Sequence, residues 1–193
     1  MISKLNLGCG RLPLEGWINL DLVPGAGVDV VADLDRCRTQ PLPFPPERFD
    51  EFRGSHVLEH LRDPVPFMQE LYRIAKPDAT ALFILPYGSS DDAFEDPTHI
   101  RPWFISSFAV FAQVGPTAPL PNYDADWVTD EIVLDVAPEW ARGKTTENLL
   151  DEVGRLRNVV MEMRVRFRAQ KPARAASLAQ VPVTVNFNFP ATA

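Results

Sequence analysis

Hydrophobic positions in the first half of the chain come in short runs closed by glycine, proline or a carboxylate. Ile2 to Leu7 has the length of a strand and ends at Gly8-Cys9-Gly10, a tight glycine turn. Trp17 to Leu20 stops at Asp21, and Val28 to Ala32 stops at Asp33, which predicts two more short strands. Pro41, Pro43, Pro45 and Pro46 then exclude regular structure until Phe49–Phe52, a fourth strand leading into Ser55–Leu61. The period changes after Asp63-Pro64. Val65, Met68, Leu71, Tyr72 and Ala75 recur at helical spacing, with Asp63 as N-cap and Pro64 at the first helical position. Lys76-Pro77-Asp78 ends that helix, and Ala79–Leu85 is a nearly continuous apolar run bounded by Pro86, as in a strand buried on both faces. Strand, helix and strand at this spacing make a βαβ unit.

The second half is patterned less regularly. Tyr87 to Arg101 is polar and acidic and reads as a long loop over a site, while Trp103 to Val114 is apolar enough for a helix. Val128–Val136 is rich in β-branched residues, and Thr145–Leu156 reads as a helix with Leu149, Leu150, Val153 and Leu156 on one face. Met161, Met163, Val165 and Phe167 alternate with Glu162, Arg164, Arg166 and Arg168, predicting a strand with one apolar and one basic face. The basic face is either solvated or turned to an anionic group or a partner chain. A domain over 1–172 is followed by a tail over 173–193, expected to be weakly ordered or to add one edge strand from Val181 to Phe189.

Composition narrows the class. The chain has 193 residues, 46% hydrophobic and 23% charged, which suits one soluble domain able to bury a core without disulfides or a structural metal. Its two cysteines, Cys9 and Cys37, and the lack of an apolar leader or a run of roughly 20 apolar residues, point to the cytoplasm and to no membrane contact. A net charge of -7 disfavours nucleic acid as a partner, since that binding draws on phosphate neutralisation. All 26 acidic residues and 14 of the 19 basic ones lie in 1–162, leaving five bases and no acid beyond. The 19 prolines, about twice the usual share, punctuate apolar runs rather than interrupt them.

The glycine turn after the first strand allows close backbone approach to a ligand. The dinucleotide fingerprint is broken, because Pro13 stands where its third glycine belongs, and no Gly-Lys-Ser/Thr completes a phosphate loop. Carboxylates that close successive strands are more informative. In an open α/β sheet ligands sit outside the carboxyl ends of the strands, where Asp21 can accept ribose hydroxyls and Asp33 an adenine amino group; each alone is equally a turn residue.

These residues carry a family resemblance. Leu5-Asn6-Leu7-Gly8-Cys9-Gly10, Ile18-Asn19-Leu20-Asp21, Val31-Ala32-Asp33-Leu34, Leu42-Pro43-Phe44-Pro45 with Phe49-Asp50, Val57-Leu58-Glu59-His60-Leu61 and Leu71-Tyr72-Arg73-Ile74-Ala75-Lys76-Pro77 resemble, in order and spacing over residues 4–86, the class I S-adenosylmethionine-dependent methyltransferases. Asp96–Trp103 resembles the acceptor-side segment of small bacterial and phage members, and Val159–Pro172 their last strand. The resemblance implies an α/β, Rossmann-like three-layer sandwich with a mostly parallel seven-stranded sheet whose last strand is antiparallel. It implies S-adenosylmethionine as cofactor, with Gly8, Cys9 and Gly10 along the methionine part, Asp21 and Leu22 at the ribose, Asp33 and Leu34 at the adenine, and His56 as a wall. Two departures stand out: Gly10 to Asp21 is too short for a full first helix, and Arg11 replaces a small residue.

His56, His60 and His99 all fall in the segments assigned to the site. His56-Val57-Leu58-Glu59-His60 also matches the H-x-x-E-H zinc-hydrolase motif, but that motif needs a surrounding helix and a third ligand; Gly54-Ser55 precede it, Asp63-Pro64 interrupts three residues after it and no later helix offers an obvious glutamate, so no metal is expected. For an acceptor that must lose a proton, His99 is the first candidate base and His60 the second; His60 as a packing or capping residue, and His99 as an anchor against Asp96 or Arg101, are the plainer alternatives. Cys9 reads as a small packed residue. The acidic loop with Tyr123, Asp124, Asp126 and Trp127 points to a small neutral or cationic acceptor or a glycan, handled by a monomer or homodimer. A non-catalytic module that binds the donor is the alternative from another class.

Overall fold

The structure is a computed structural model that describes residues 2–117, 120–140, 144–179 and 181–189. One eight-stranded sheet organises it, in the order β3-β2-β1-β4-β5-β7-β6-β8. The strands are β1 (Lys4–Leu7), β2 (Ile18–Asp21), β3 (Val30–Val31), β4 (Phe49–Ser55), β5 (Ala75–Pro86), β6 (Trp127–Val136), β7 (Val160–Ala169) and β8 (Thr184–Asn188). β3 to β5 through β1 are parallel neighbours, and β7 lies antiparallel between β5 and β6. The α/β, mostly parallel arrangement is the one the sequence implies, with β7, within the Val159–Pro172 segment, as its antiparallel strand. The one difference is the count, eight strands rather than seven. Polar residues alternate along 184–188, and β8 pairs parallel to the open edge of β6, where Asn186 donates to Glu131 at 2.7 Å.

Pairing register divides the side chains between two faces. Phe52, Ala81, Phe167, Phe83 and Val165 share a buried face, covered by α1 (Pro64–Ile74) and a 3-10 helix over Ile105–Phe111. Phe67 of α1 meets Phe83 edge-on at 6.2 Å, and Phe108 and Phe111 meet Phe167 at 5.7 and 6.4 Å. The opposite face carries Lys4, Glu51, Arg53, Arg164, Arg166 and Arg168 and stays partly open. The second helical layer of a three-layer sandwich is missing over β1–β3, because the β1–β2 and β2–β3 connections contain turns and no helix. Gly8, Gly10, Pro13 and Gly16 in so short a connection leave no room to nucleate one. The basic face of β7 is neutralised within the sheet, since Arg164 pairs with Asp135 at 2.8 Å and Arg168 with Asp130 at 3.2 Å.

Other expectations shift for local reasons. The helix over Trp103–Val114 contracts to the 3-10 helix, and β5 begins at Ala75, taking in Lys76-Pro77-Asp78. Asp63 precedes α1, but its carboxylate pairs with Arg38 rather than capping the helix. Within α2 (Asp92–Glu95) the acidic segment forms one helical turn. In α3 (Thr146–Arg155), Thr145 caps Asn148; Leu149 and Val153 are buried, but Leu150 and Leu156 are exposed. Tyr123, Asp126 and Trp127 are core supports rather than acceptor contacts: Tyr123 donates to Phe111 O, Trp127 donates to Met68 O, and Asp126 pairs with Arg174.

Candidate functional site

The strand order reverses between β1 and β4, and a cleft opens there at the carboxyl ends of β1, β2 and β4, where ligands bind in sheets of this kind. Its volume is about 260 Å³. Of the eight residues assigned to the donor, Gly8, Asp21, Leu22, Asp33, Leu34 and His56 line it, together with His60. Leu20, Ala32, Asp35, Val57 and Leu61 complete the wall and were not foreseen. Asp35, the second carboxylate of Asp33-Leu34-Asp35, accepts from the N–H of Arg62 at 2.7 Å and joins the turn after β3 to the start of α1.

Cys9 and Gly10 sit beside the cleft rather than on its wall. Cys9 is buried, its N–H donates to Leu20 O at 3.0 Å, and burial with the nearby Asp21 carboxylate raises its thiol pKa, as expected of an inert packed residue. The Gly10 N–H donates to Asp21 Oδ2 at 2.7 Å, and the Val23 N–H to Asp21 Oδ1 at 3.0 Å. Each carboxylate oxygen thereby accepts one fixed bond and keeps a second lone pair free. Asp33 plays the turn role as well, capping the short 3-10 helix Leu34–Arg36 through Asp35 N–H at 3.0 Å and meeting Arg36 at 3.2 Å. Gly8 adopts φ +58, and a Cβ there would stand 2.6 Å from Val57 Cγ2.

After β4 the chain turns sharply at His56, φ +53, into a 3-10 turn over Leu58–His60. His56 Nε2 lies 3.3 Å from Glu162 Oε2 and Nδ1 lies 3.1 Å from Glu59 Oε1. Glu162 first and Glu59 second outweigh burial and hold the imidazole protonated, with its pKa raised to about 10. The zinc-hydrolase pairing of His56 with His60 on one helical face is therefore not formed. A different set converges instead: one ligand atom from each of Glu59, His60 and His99 lies within 4.8 Å of the others. His99 comes from the loop between α2 and the 3-10 helix over Ile105–Phe111, tied down where the Ile100 N–H donates to Glu59 O at 2.8 Å. His60 and His99 meet edge-on at 4.8 Å, and Thr98 Oγ1 lies 3.1 Å from His60 Nδ1. His99 lies 4.0 Å from Asp96. Hydrogen bonds from Thr98 hold the Asp96 carboxyl below its ordinary pKa.

This fold, with its ligand cleft at the β1/β4 reversal, is that of the class I S-adenosylmethionine-dependent methyltransferases. Residues 21–83 match the family model described as a methyltransferase domain. Among solved structures, the YcgJ protein of Bacillus subtilis is similar at TM-score 0.56 and 13% identity, over 89% of this chain and 93% of that one. A SAM-dependent methyltransferase from Archaeoglobus fulgidus is similar at TM-score 0.53 and 16% identity, over 86% of both chains. A chain in the complex of the Haloferax volcanii Trm112 methyltransferase activator with a methyltransferase aligns at TM-score 0.53 and 16% identity, over 90% of this chain and 84% of that one. No curated protein matches the chain.

Match and fold imply S-adenosylmethionine as cofactor, and the chemistry of the cleft suits it. The free lone pairs of Asp21 suit two hydroxyl donors, the apolar Leu22, Ala32 and Leu34 suit a purine, and Gly8 leaves its wall without a side chain.

Proposed function

We propose that the protein transfers a methyl group from S-adenosylmethionine to a small-molecule or glycan acceptor. The observation that carries the reading is the joint placement of Gly8, Asp21 and Asp33 around one cleft at the strand-order reversal, with His60 on its wall and His99 against His60. When bound, the cofactor supplies a methyl group on a sulfonium, open to in-line displacement. Asp21 accepts the ribose hydroxyls, Asp33 and Leu34 hold the adenine, the Gly8-Cys9-Gly10 backbone flanks the methionine part, and His56, fixed between Glu59 and Glu162, closes the wall. Holding donor and acceptor in line supplies roughly 7–11 kcal/mol of the barrier reduction without an enzyme nucleophile. His60 and His99 activate the acceptor. Among the described residues no helix is long and apolar enough to cross a membrane; the proposed enzyme works in the cytoplasm as a monomer or homodimer.

The experiment is transfer of isotope-labelled methyl to panels of hydroxyl- and amine-bearing small molecules and sugars. His60→Gln and His99→Gln are each expected to slow turnover by about 10²-fold, with S-adenosylhomocysteine affinity little changed; unchanged turnover would remove both histidines from the mechanism. The second reading, a donor-binding module without turnover, is favoured by one observation: the β1–β2 connection has no helix, and the Gly10 N–H is spent on Asp21. Tight donor binding with no labelled product from any acceptor supports it.

A further inference from the structure

We propose that Glu59, His60 and His99 bind a divalent first-row transition-metal ion, and that its open positions take the hydroxyl oxygen of the methyl acceptor. Glu59 and His60 are neighbours in sequence and His99 comes from a distant loop, yet each presents one ligand atom within a 4.8 Å cluster. Among the described residues, two of them hold buried polar atoms with no partner. Glu59 is 2% exposed and its Oε2 accepts nothing, while the His99 side chain is 8% exposed and its Nδ1 is likewise unpartnered. Buried polar atoms are nearly always satisfied, so two orphans in one cluster indicate an absent partner that both can ligate. Each is an electron-pair donor once the imidazole is neutral, so the partner that suits both is a cation.

The surroundings are arranged as around a metal. His56 Nδ1 lies 3.1 Å from Glu59 Oε1, which fixes the carboxylate and leaves Oε2 free. Thr98 lies at His60 Nδ1 through its hydroxyl at 3.1 Å and its carbonyl at 3.3 Å, so Nε2 is the ring nitrogen open to an ion. Orientation of a ligand by a hydrogen bond to its other polar atom is the usual outer layer of a metal site. Two imidazoles and one carboxylate select zinc, cobalt, manganese or iron over calcium and magnesium, which prefer oxygen alone. Ligand atoms about 2.1 Å from a tetrahedral ion lie roughly 3.4 Å apart, so occupancy draws the rings inward from their present spacing. Three protein ligands leave the ion open on one side.

His60 lines the donor cleft as well as belonging to the cluster, so an ion held there stands beside that cleft. A hydroxyl bound to the ion through oxygen loses its proton to solvent water more readily. The freed oxygen lone pair then forms the new carbon–oxygen bond as the carbon–sulfur electron pair returns to sulfur, giving a methyl ether, S-adenosylhomocysteine and a proton. This catalytic role rests on the proposed methyl transfer, whereas the metal binding does not.

The test uses full-length protein stripped with a chelator. It is titrated with Co²⁺ by visible absorption and with Zn²⁺ by calorimetry, beside Mg²⁺, and S-adenosylhomocysteine binding is measured on the same samples. One saturable Co²⁺ and Zn²⁺ site is expected, weakened at least roughly tenfold in Glu59→Gln and in His99→Gln, with Mg²⁺ much weaker. His60→Gln, at a partly exposed position, provides a third variant should either of the others unfold. Absence of a saturable site, or a site equally strong in all folded variants, overturns the proposal. S-adenosylhomocysteine binding without metal binding overturns the metal site alone. Metal binding lost in the variants, without S-adenosylhomocysteine binding, supports the site and overturns the donor cleft.

Discussion

Asp126→Ala is expected to lower unfolding stability by about 3 kcal/mol or somewhat more, read as a shift of the urea midpoint at neutral pH. Asp126 is fully buried at the start of β6. Its carboxylate accepts from Arg174 Nε at 2.7 Å, Nη2 at 2.8 Å and backbone N–H at 3.0 Å, and from the Gln113 N–H at 3.0 Å. Truncation leaves an arginine side chain, the buried Gln113 N–H and the half-buried Arg174 N–H facing a void; partial exposure of the guanidinium lets water recover some of the loss, which keeps the effect at the lower end for a broken buried pair. The pH dependence has a definite sign. Burial pushes this carboxyl pKa up, but the Arg174 and Gln113 hydrogen bonds outweigh it and hold the pKa below its ordinary value. The pair's stabilisation is therefore complete above the ordinary carboxylate pKa of about 3.9 and is lost as pH falls through the lower folded value. Asp126→Asn is expected to fall short of the wild type at pH 7 and to approach it on acidification; a constant gap down to pH 2 would contradict the assignment.

Gly8→Ala is expected to cost about 2–5 kcal/mol and to weaken S-adenosylhomocysteine binding more than tenfold. Two effects add. A left-handed backbone costs an alanine roughly 1–2 kcal/mol, and the new Cβ would stand 2.6 Å from Val57 Cγ2, so a buried side chain on the cleft wall must move. Gly10→Ala isolates the first effect, because φ there is +53 but nothing lies within 4 Å of the added atom. Val57→Ala should restore part of the binding lost in Gly8→Ala and none of that lost in Gly10→Ala. Equal losses in the two glycine variants would show that contact with Val57 does not shape the cleft.

Much of the fold was legible because four of its first five strands, β1, β2, β3 and β5, end in punctuation with a physical effect. Gly8, Asp21, Asp33 and Pro86 all stand where a strand closes or turns. What the sequence concealed is tertiary. Tyr123, Asp126 and Trp127 look like a polar, aromatic surface segment in one dimension, and only their partners Phe111, Arg174 and Met68 make them core. The missing helical layer was foreshadowed by the short Gly10–Asp21 segment, although the family resemblance argued for full coverage. The site divides in the same way. Cleft residues at strand ends were found from local pattern, but Cys9 and Gly10 sit beside the cleft, where Leu20 O and the Asp21 carboxylate claim their N–H groups. The histidines were found, but their grouping was not. H-x-x-E-H spacing pairs His56 with His60 on a helix, whereas the turn at His56 sends that ring to Glu162 and leaves Glu59 and His60 to meet His99.

The central claim is that the cleft at the β1/β4 reversal holds the methyl donor, with Asp21 as its principal polar contact. Calorimetric titration of the wild-type protein and Asp21→Ala with S-adenosylhomocysteine tests it most directly. One saturable site per chain is expected in the wild type, weakened at least roughly tenfold by the loss of two hydroxyl contacts to a carboxylate. Affinity unchanged in a folded Asp21→Ala protein, or no binding by the wild type, would contradict it.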